Sequence, residues 1–115
     1  MLLTREQIIA AADLRHEDVE VPEWNGTVRV RMMTGLQRDA LSAVLIGPGN
    51  KPDLTTYRVR LVAACIVDEA GSALFGHDEI AALGAKSGVA LDRVYRVAER
   101  INDTAAQALE AAEGN

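Results

Sequence analysis

The sequence predicts a mainly α-helical α+β domain, a small helical bundle that carries one β-hairpin near the N-terminus. Three observations support this fold class. Apolar residues recur at helical spacing over residues 34–101, capping patterns precede several of these segments, and an Asn-Gly pair joins two alternating stretches within residues 18–32. The 115 residues fit a single domain, since typical domains hold roughly 100–150 residues.

Composition limits both the core and the classes of partner. Apolar residues make up 49% of the chain and aromatic residues only 3%, so Ala, Val, Leu and Ile must form the core. The formal net charge of −5 argues against nucleic-acid binding, which requires a basic surface. The longest apolar run, residues 61–67, is far shorter than the roughly 20 residues of a transmembrane helix. We therefore expect no nucleic-acid partner, no membrane insertion and no secretion.

The residues able to do chemistry form no catalytic pattern. Cys65 lies in an apolar stretch without a flanking cation, which favours a packed core thiol over a nucleophile. A single cysteine also fits a reducing compartment, so we expect a cytoplasmic protein. His16 and His77 each precede two acidic residues, but neighbouring side chains point in different directions and lack the spacing of a metal site. We expect no enzyme, cofactor or metal; a small metal-assisted hydrolase built on both histidines is the enzymatic alternative.

Thr followed three positions later by Gln predicts three helix starts through the capping-box pattern. These starts are Thr4, Thr34 and Thr104. The first helix is expected to end near Ala12 with Ile8 and Ile9 facing the core. The second is expected to end near residue 46, and its apolar positions are Leu36, Ala40, Leu41, Val44 and Leu45.

Further helices are predicted toward the C-terminus. Residues 55–67 read as a central buried helix, although their β-branched members leave a strand possible. A short helix over residues 78–84 precedes a longer one that Ser87 caps and that ends near Ile101, before a break at Asn102. Its predicted inward residues are Leu91, Val94, Tyr95, Ala98 and Ile101. The alanine-rich helix over residues 104–112 has Leu109 as nearly its only large anchor, so we expect it to dock loosely or on a partner.

The hairpin is the most strongly specified element. Asn25 and Gly26 tolerate the positive φ angles of a two-residue type I′ turn, which pairs Trp24 with Thr27. One predicted face, directed at the core, carries Val19, Val21, Val28, Val30 and Met32; the other carries Glu20, Pro22, Trp24, Arg29 and Arg31, with Glu20 opposite Arg31. An isolated hairpin leaves two unpaired edges, so we expect pairing with another copy or with a partner.

Five residues are candidates for partner binding: Trp24, Arg29, Arg31, Pro22 and Leu109. Trp and Arg are over-represented in interfaces, and the single Trp fits an interface anchor as well as a structural shield stacked near Arg29. The same features favour a homo-oligomer that assembles through hairpin edges or the last helix.

Several stretches of the chain resemble the tail assembly chaperones of long-tailed bacteriophages and prophages. They are LTREQI at residues 3–8, VEVPEWNGTVRVR at residues 19–31, TG at 34–35, RD at 38–39, VDEAG at 67–71, LF at 74–75, LGAKS at 83–87 and LDR at 91–93. The resemblance spans most of the chain and involves turns and caps, with no catalytic signature.

The resemblance implies a small protein of the host bacterial cytoplasm that binds the long, largely helical tape measure protein during tail assembly. It implies that the chaperone keeps this client soluble until tail tube protein replaces it, is absent from the mature virion, and uses no cofactor. Many relatives also exist in a longer, frameshifted form, and residues 113–115 are compatible with a slippery codon run. The alternative is a structural head–tail connector or another small phage morphogenesis component.

Overall fold

The computed structural model describes residues 1–103 and has an α+β fold. Its elements, in chain order, are α1 (Arg5–Ala10), β1 (His16–Val21), β2 (Gly26–Arg31), α2 (Gly35–Val44), α3 (Tyr57–Cys65), β3 (Ile66–Val67), α4 (Ile80–Gly84) and α5 (Gly88–Ile101). Short 3₁₀ turns lie at Pro22–Trp24, Pro48–Asn50 and His77–Glu79. The predicted fold class is confirmed; the predicted helix over residues 104–112, with Leu109, lies outside the described residues.

The strands form one antiparallel sheet in the order β1-β2-β3, and its hairpin register differs from the predicted one. Val21 lies opposite Gly26 and not opposite Val30, because Pro22–Trp24 forms a 3₁₀ turn that ends at Asn25 with φ 54°. Proline has no N–H for a strand ladder, and its fixed φ suits the first position of such a turn. The predicted pairing of Glu20 with Arg31 is also wrong, since Glu20 lies opposite Thr27.

The inward face of the hairpin is nevertheless the predicted one. The pairing moves by four positions, an even number, so the side chains within the two strands keep their predicted faces. Val21 and Val30 are fully buried, and Val19 and Val28 pack against the core from partly buried positions.

The predicted central helix ends earlier than expected. It stops at Cys65, and the β-branched pair Ile66 and Val67 forms β3 on the free edge of β2. This strand places Val67 opposite Arg29 and Ile66 opposite Val30. Therefore one of the two hairpin edges is covered within the chain, and β1 is the edge strand of the sheet.

The core lies between the sheet and two helices. Helix α5 crosses β1 and β2 and packs along α3. Its buried residues are Ala90, Leu91, Val94, Ala98 and Ile101, and they meet Leu61, Val62 and Ile66. The predicted Ser87 cap is confirmed, because its hydroxyl accepts a hydrogen bond from the Ala90 N–H at 3.2 Å. Tyr95 is only partly buried.

Two predicted apolar faces are exposed. Both predicted capping boxes at Thr4 and Thr34 are present, so the helix starts are correct. However, Ile8 and Ile9 are 58% and 74% exposed, and α1 buries no residue. In α2 only Leu41 is buried, while Leu36 is 83% exposed. A helical pattern predicts a face but not the neighbour that covers it.

No helix within residues 1–103 is long and apolar enough to cross a bilayer.

Candidate functional site

The hairpin is attached to α5 by charged side chains at both ends. The Arg93 guanidinium donates hydrogen bonds to the Glu23 carboxylate at 3.0–3.2 Å, and Arg100 donates to Glu17. These contacts lower the pKa of both carboxyl groups below the ordinary glutamate value. The tip of the hairpin is therefore held in place over the body of the molecule.

Trp24 lies on the core side of the sheet and not on the predicted outer face. The 3₁₀ turn carries its half-buried indole toward Val28 and Ile66, where it packs against the core. Arg29 and Arg31 alternate with the inward valines of β2 and so occupy the opposite face. The prediction that Trp24 stacks near Arg29 is wrong.

The five candidate binding residues are thus separated. Arg29 forms an ion pair with Asp18, with 2.8 Å between Nε and Oδ1. Arg31 packs against the turn at residues 68–71. Its guanidinium lies so close to Gly71 that a Cβ atom added to this glycine would be 2.8 Å from Arg31 Nη1. Pro22 is exposed at the hairpin turn, and Leu109 lies outside the described residues. Among the four candidates within residues 1–103, Trp24 lines an apolar depression.

That depression, here called the Trp24 groove, has a volume of about 600 Å³. Its apolar lining residues are Trp24, Val28, Ile66, Leu74, Phe75, Ala82 and Leu83, and its polar lining residues are Glu23, Asn25 and Lys86. The hairpin tip supplies one wall and α4 supplies the other. Such a concave apolar surface suits the apolar face of an amphipathic helix.

A second depression, the α2–α3 groove, has a volume of about 250 Å³. Its apolar lining residues are Ala40, Leu41, Val44, Ala63, Ala64, Ala73, Phe75 and Ile80. Phe75 lines both grooves, so the two adjoin on the surface. Sequence reasoning missed both; their only sequence signal is the single phenylalanine of the chain, placed beside Leu74 in a segment between helices.

The groups considered for chemistry are dispersed. Cys65 is fully buried, and burial raises the pKa of its thiol to about 11, which fits the predicted core role. His16 lies opposite Arg31 in the hairpin, whereas His77 borders the α2–α3 groove. No group of three His, Cys, Asp or Glu residues within residues 1–103 is placed to hold a metal ion.

Comparison with known proteins gives an informative likeness to a solved structure. No family model and no curated protein matches the chain. The solved structure of the bacteriophage HK97 tail assembly chaperone is similar, with 25% sequence identity and a TM-score of 0.57. The match covers 84% of this chain and 96% of that protein. The resemblance predicted from the sequence is thereby confirmed: over most of its length the chain is similar to a bacteriophage tail assembly chaperone, which supports a role as a tail assembly chaperone.

Proposed function

We propose that the chain is a tail assembly chaperone that binds the tape measure protein and keeps it soluble during tail assembly. The Trp24 groove carries this proposal, because it is a large apolar depression on a protein similar to a known tail assembly chaperone. The chain acts by binding alone, without a cofactor, metal or catalytic step.

The groove matches the chemistry of such a client. A long helical protein exposes apolar side chains at i, i+3 or i+4, and i+7, which dock together into a groove lined by aliphatic and aromatic groups. The Trp24 indole and the Phe75 ring supply rigid apolar area at either side. The net charge of −5 helps to keep the complex soluble once the apolar faces are covered.

Trp24→Ala tests the anchor. We expect the change to weaken binding of the tape measure protein from the same phage by about 2 kcal/mol or more, roughly 30-fold, as for other buried Trp anchors. Isothermal titration with a soluble segment of that protein measures the loss. Because Trp24 also packs on the core, urea unfolding of the free variant is measured alongside, so that binding is compared between folded proteins.

A matched pair on α4 separates binding from folding. Ala81 and Ala82 are both exposed, but only Ala82 lines the Trp24 groove. Ala82→Glu places a charge in the groove and should abolish measurable binding, whereas Ala81→Glu should bind as the wild type does. Equal binding by both variants would contradict the assigned groove.

The proposal places the chain in the host bacterial cytoplasm and outside the mature virion. Mass spectrometry of purified virions tests this placement. Finding the chain at a fixed copy number per particle would favour the head–tail connector instead.

A longer form also belongs to the proposal. Its extension would contact the tail tube protein and bring it to the client. Intact-mass analysis of the products translated from the gene with its natural downstream DNA tests for this form. A second, longer product that shares the N-terminus supports the longer form. A single product that ends at Asn115 would contradict it.

A further inference from the structure

The Trp24 groove and the α2–α3 groove share residues 73–75 as a common border. Ala73 lines the α2–α3 groove, Leu74 lines the Trp24 groove, and Phe75 lines both. The border is attached to β3, because the Leu74 N–H donates a hydrogen bond to the Ile66 carbonyl at 3.2 Å. The apolar surface therefore continues from one groove into the other across a segment that backbone contacts hold in place.

Large apolar side chains on both sides of this border stay in contact with solvent. Leu74 is 49% exposed in the Trp24 groove, and Val44 is 44% exposed in the α2–α3 groove. A ligand that covers both grooves must be elongated and apolar along one side. A helical segment with a single apolar stripe has this form.

The charged side chains that line the grooves differ in sign from the chain as a whole. Apart from His77, they are Glu23, Lys86 and Arg60. The Glu23 carboxylate already accepts hydrogen bonds from the Arg93 guanidinium at 3.0–3.2 Å. Lys86 and Arg60 form no ion pair within residues 1–103. A chain with a net charge of −5 thus lines its apolar grooves with two cations that lack an ion-pair partner there.

The two cations differ in how much of their charge is already balanced. Lys86 follows α4 and is exposed. Arg60 donates from Nε to Thr56 Oγ1 at 2.8 Å, which uses one of its five N–H groups. The pKa of Asp53 is lowered by hydrogen bonds from Thr55 and also by the charge of Arg60, so a carboxylate already lies within electrostatic reach of this guanidinium. Lys86 is therefore the stronger binder of a further carboxylate.

We propose that the two grooves together bind one amphipathic helical segment of the client whose apolar stripe is flanked by Asp or Glu, with Lys86 and Arg60 contacting those carboxylates. This inference rests on the proposed function, since it specifies the chemistry of the client segment. Apolar docking supplies most of the affinity. The two cations select acidic segments and reject basic ones, because like charges brought together at an interface are costly.

Two synthetic peptides test this preference. Each has about 20 residues, roughly 30 Å as a helix, with the same leucine stripe. The flanking positions carry Glu in one, the Glu peptide, and Lys in the other, the Lys peptide. Titration into the full chain at low salt should show about tenfold tighter binding of the Glu peptide. The net charge of −5 alone would favour the Lys peptide, so this result requires the local cations.

Charge reversal identifies the cations responsible. Lys86→Glu should weaken binding of the Glu peptide about fivefold and strengthen binding of the Lys peptide. Arg60→Glu should act in the same direction but less, because Asp53 already balances part of this charge. Lys51→Glu is the matched control: it makes the same charge change at an exposed lysine outside both grooves and should leave the preference unchanged. Urea unfolding of each free variant verifies its fold, and Arg60→Gln replaces Arg60→Glu if the latter unfolds.

Three results would overturn the proposal. The first is equal or tighter binding of the Lys peptide by the wild type. The second is an equal loss of Glu-peptide binding in Lys51→Glu and Lys86→Glu, which would assign the effect to net charge. The third is a Lys86→Glu variant that changes the mass of the free protein in light scattering but not its peptide binding, which would place Lys86 in a contact between copies.

A failure of this inference is distinguishable from a failure of the proposed function. If the wild type binds both peptides equally and Ala82→Glu binds neither, the acidic preference is wrong and the apolar Trp24 groove stands. If the Glu peptide shows the expected preference but no segment of the tape measure protein from the same phage binds, the chemistry of the grooves stands and the named client is wrong.

Discussion

Asn102 joins three elements through one buried amide. Its Oδ1 accepts the Met33 N–H at 2.9 Å, and its Nδ2 donates to the Ala98 carbonyl at 2.8 Å and to Cys65 Sγ at 3.4 Å. It is 2% exposed and is the buried polar residue of the described core. The end of α5 is thereby fixed to the segment that leads from β2 into α2.

Asn102→Ala should lower the free energy of unfolding by about 2 kcal/mol, because it leaves the buried Met33 N–H without an acceptor. Urea denaturation followed by circular dichroism measures the change. Asp103→Asn is the control: position 103 is exposed with φ 53°, a conformation that Asn tolerates, so little change is expected. Equal stability of the Asn102→Ala variant and the wild type would contradict the assigned role.

Sequence patterns predicted the ends of elements better than the surroundings of single residues. Asn102 was recognised as a helix break, but nothing in the sequence shows which donors its amide meets 69 positions away. Trp24 was placed on the wrong face because the Asn-Gly signal favoured a two-residue turn, whereas Pro22 favours the 3₁₀ turn observed. The contacts of Asn102 were not predictable because they depend on a residue far away in the sequence. The face of Trp24 was predicted wrongly because two local preferences compete at the turn.

Among the elements, the hairpin and α5 behave as one unit. Two ion pairs join them, Glu17 with Arg100 and Glu23 with Arg93, and the valine face of the hairpin packs beneath the helix. The hairpin face and the α5 face were both predictable, since each follows from alternation or helical spacing. The two grooves were not predictable from the sequence. They form where α2, α4 and the turn segments leave part of the apolar surface uncovered.

The two ion pairs predict a specific loss of stability in acid. Hydrogen bonds from arginine lower the pKa of Glu17 and Glu23 in the folded protein below the ordinary value of 4.5. Their stabilisation is therefore complete above about pH 4.5 and is lost as the pH falls through the lowered pKa values. The double variant Glu17→Gln/Glu23→Gln should show a shallower fall of unfolding free energy between about pH 5 and 3 than the wild type.

Urea denaturation at low salt across this pH range checks the prediction. Glu20→Gln, on the same strand but outside both pairs, should keep the wild-type slope. High salt should reduce the difference, since these charges are partly exposed and therefore screened. A double variant with the full wild-type slope would show that the ion pairs do not link the hairpin to α5.

In the whole molecule the Trp24 groove and the α2–α3 groove adjoin at Phe75, which lines both. In our proposal the Trp24 groove receives the client. A client whose apolar helical surface continues beyond the Trp24 groove would meet the α2–α3 groove next.

This arrangement predicts that client length determines which substitution matters. Ala40→Glu, in the α2–α3 groove, should leave the affinity for a single-site client peptide unchanged. It should weaken binding to a longer client segment that extends from the Trp24 groove into the adjoining α2–α3 groove, because a buried charge opposes apolar docking there. Ala82→Glu, in the Trp24 groove, should weaken binding to both. Isothermal titration with peptides of increasing length measures the effect, with Ala43→Glu as the matched control on α2. If Ala40→Glu binds the long segment as tightly as Ala43→Glu does, the α2–α3 groove makes no contribution to client binding.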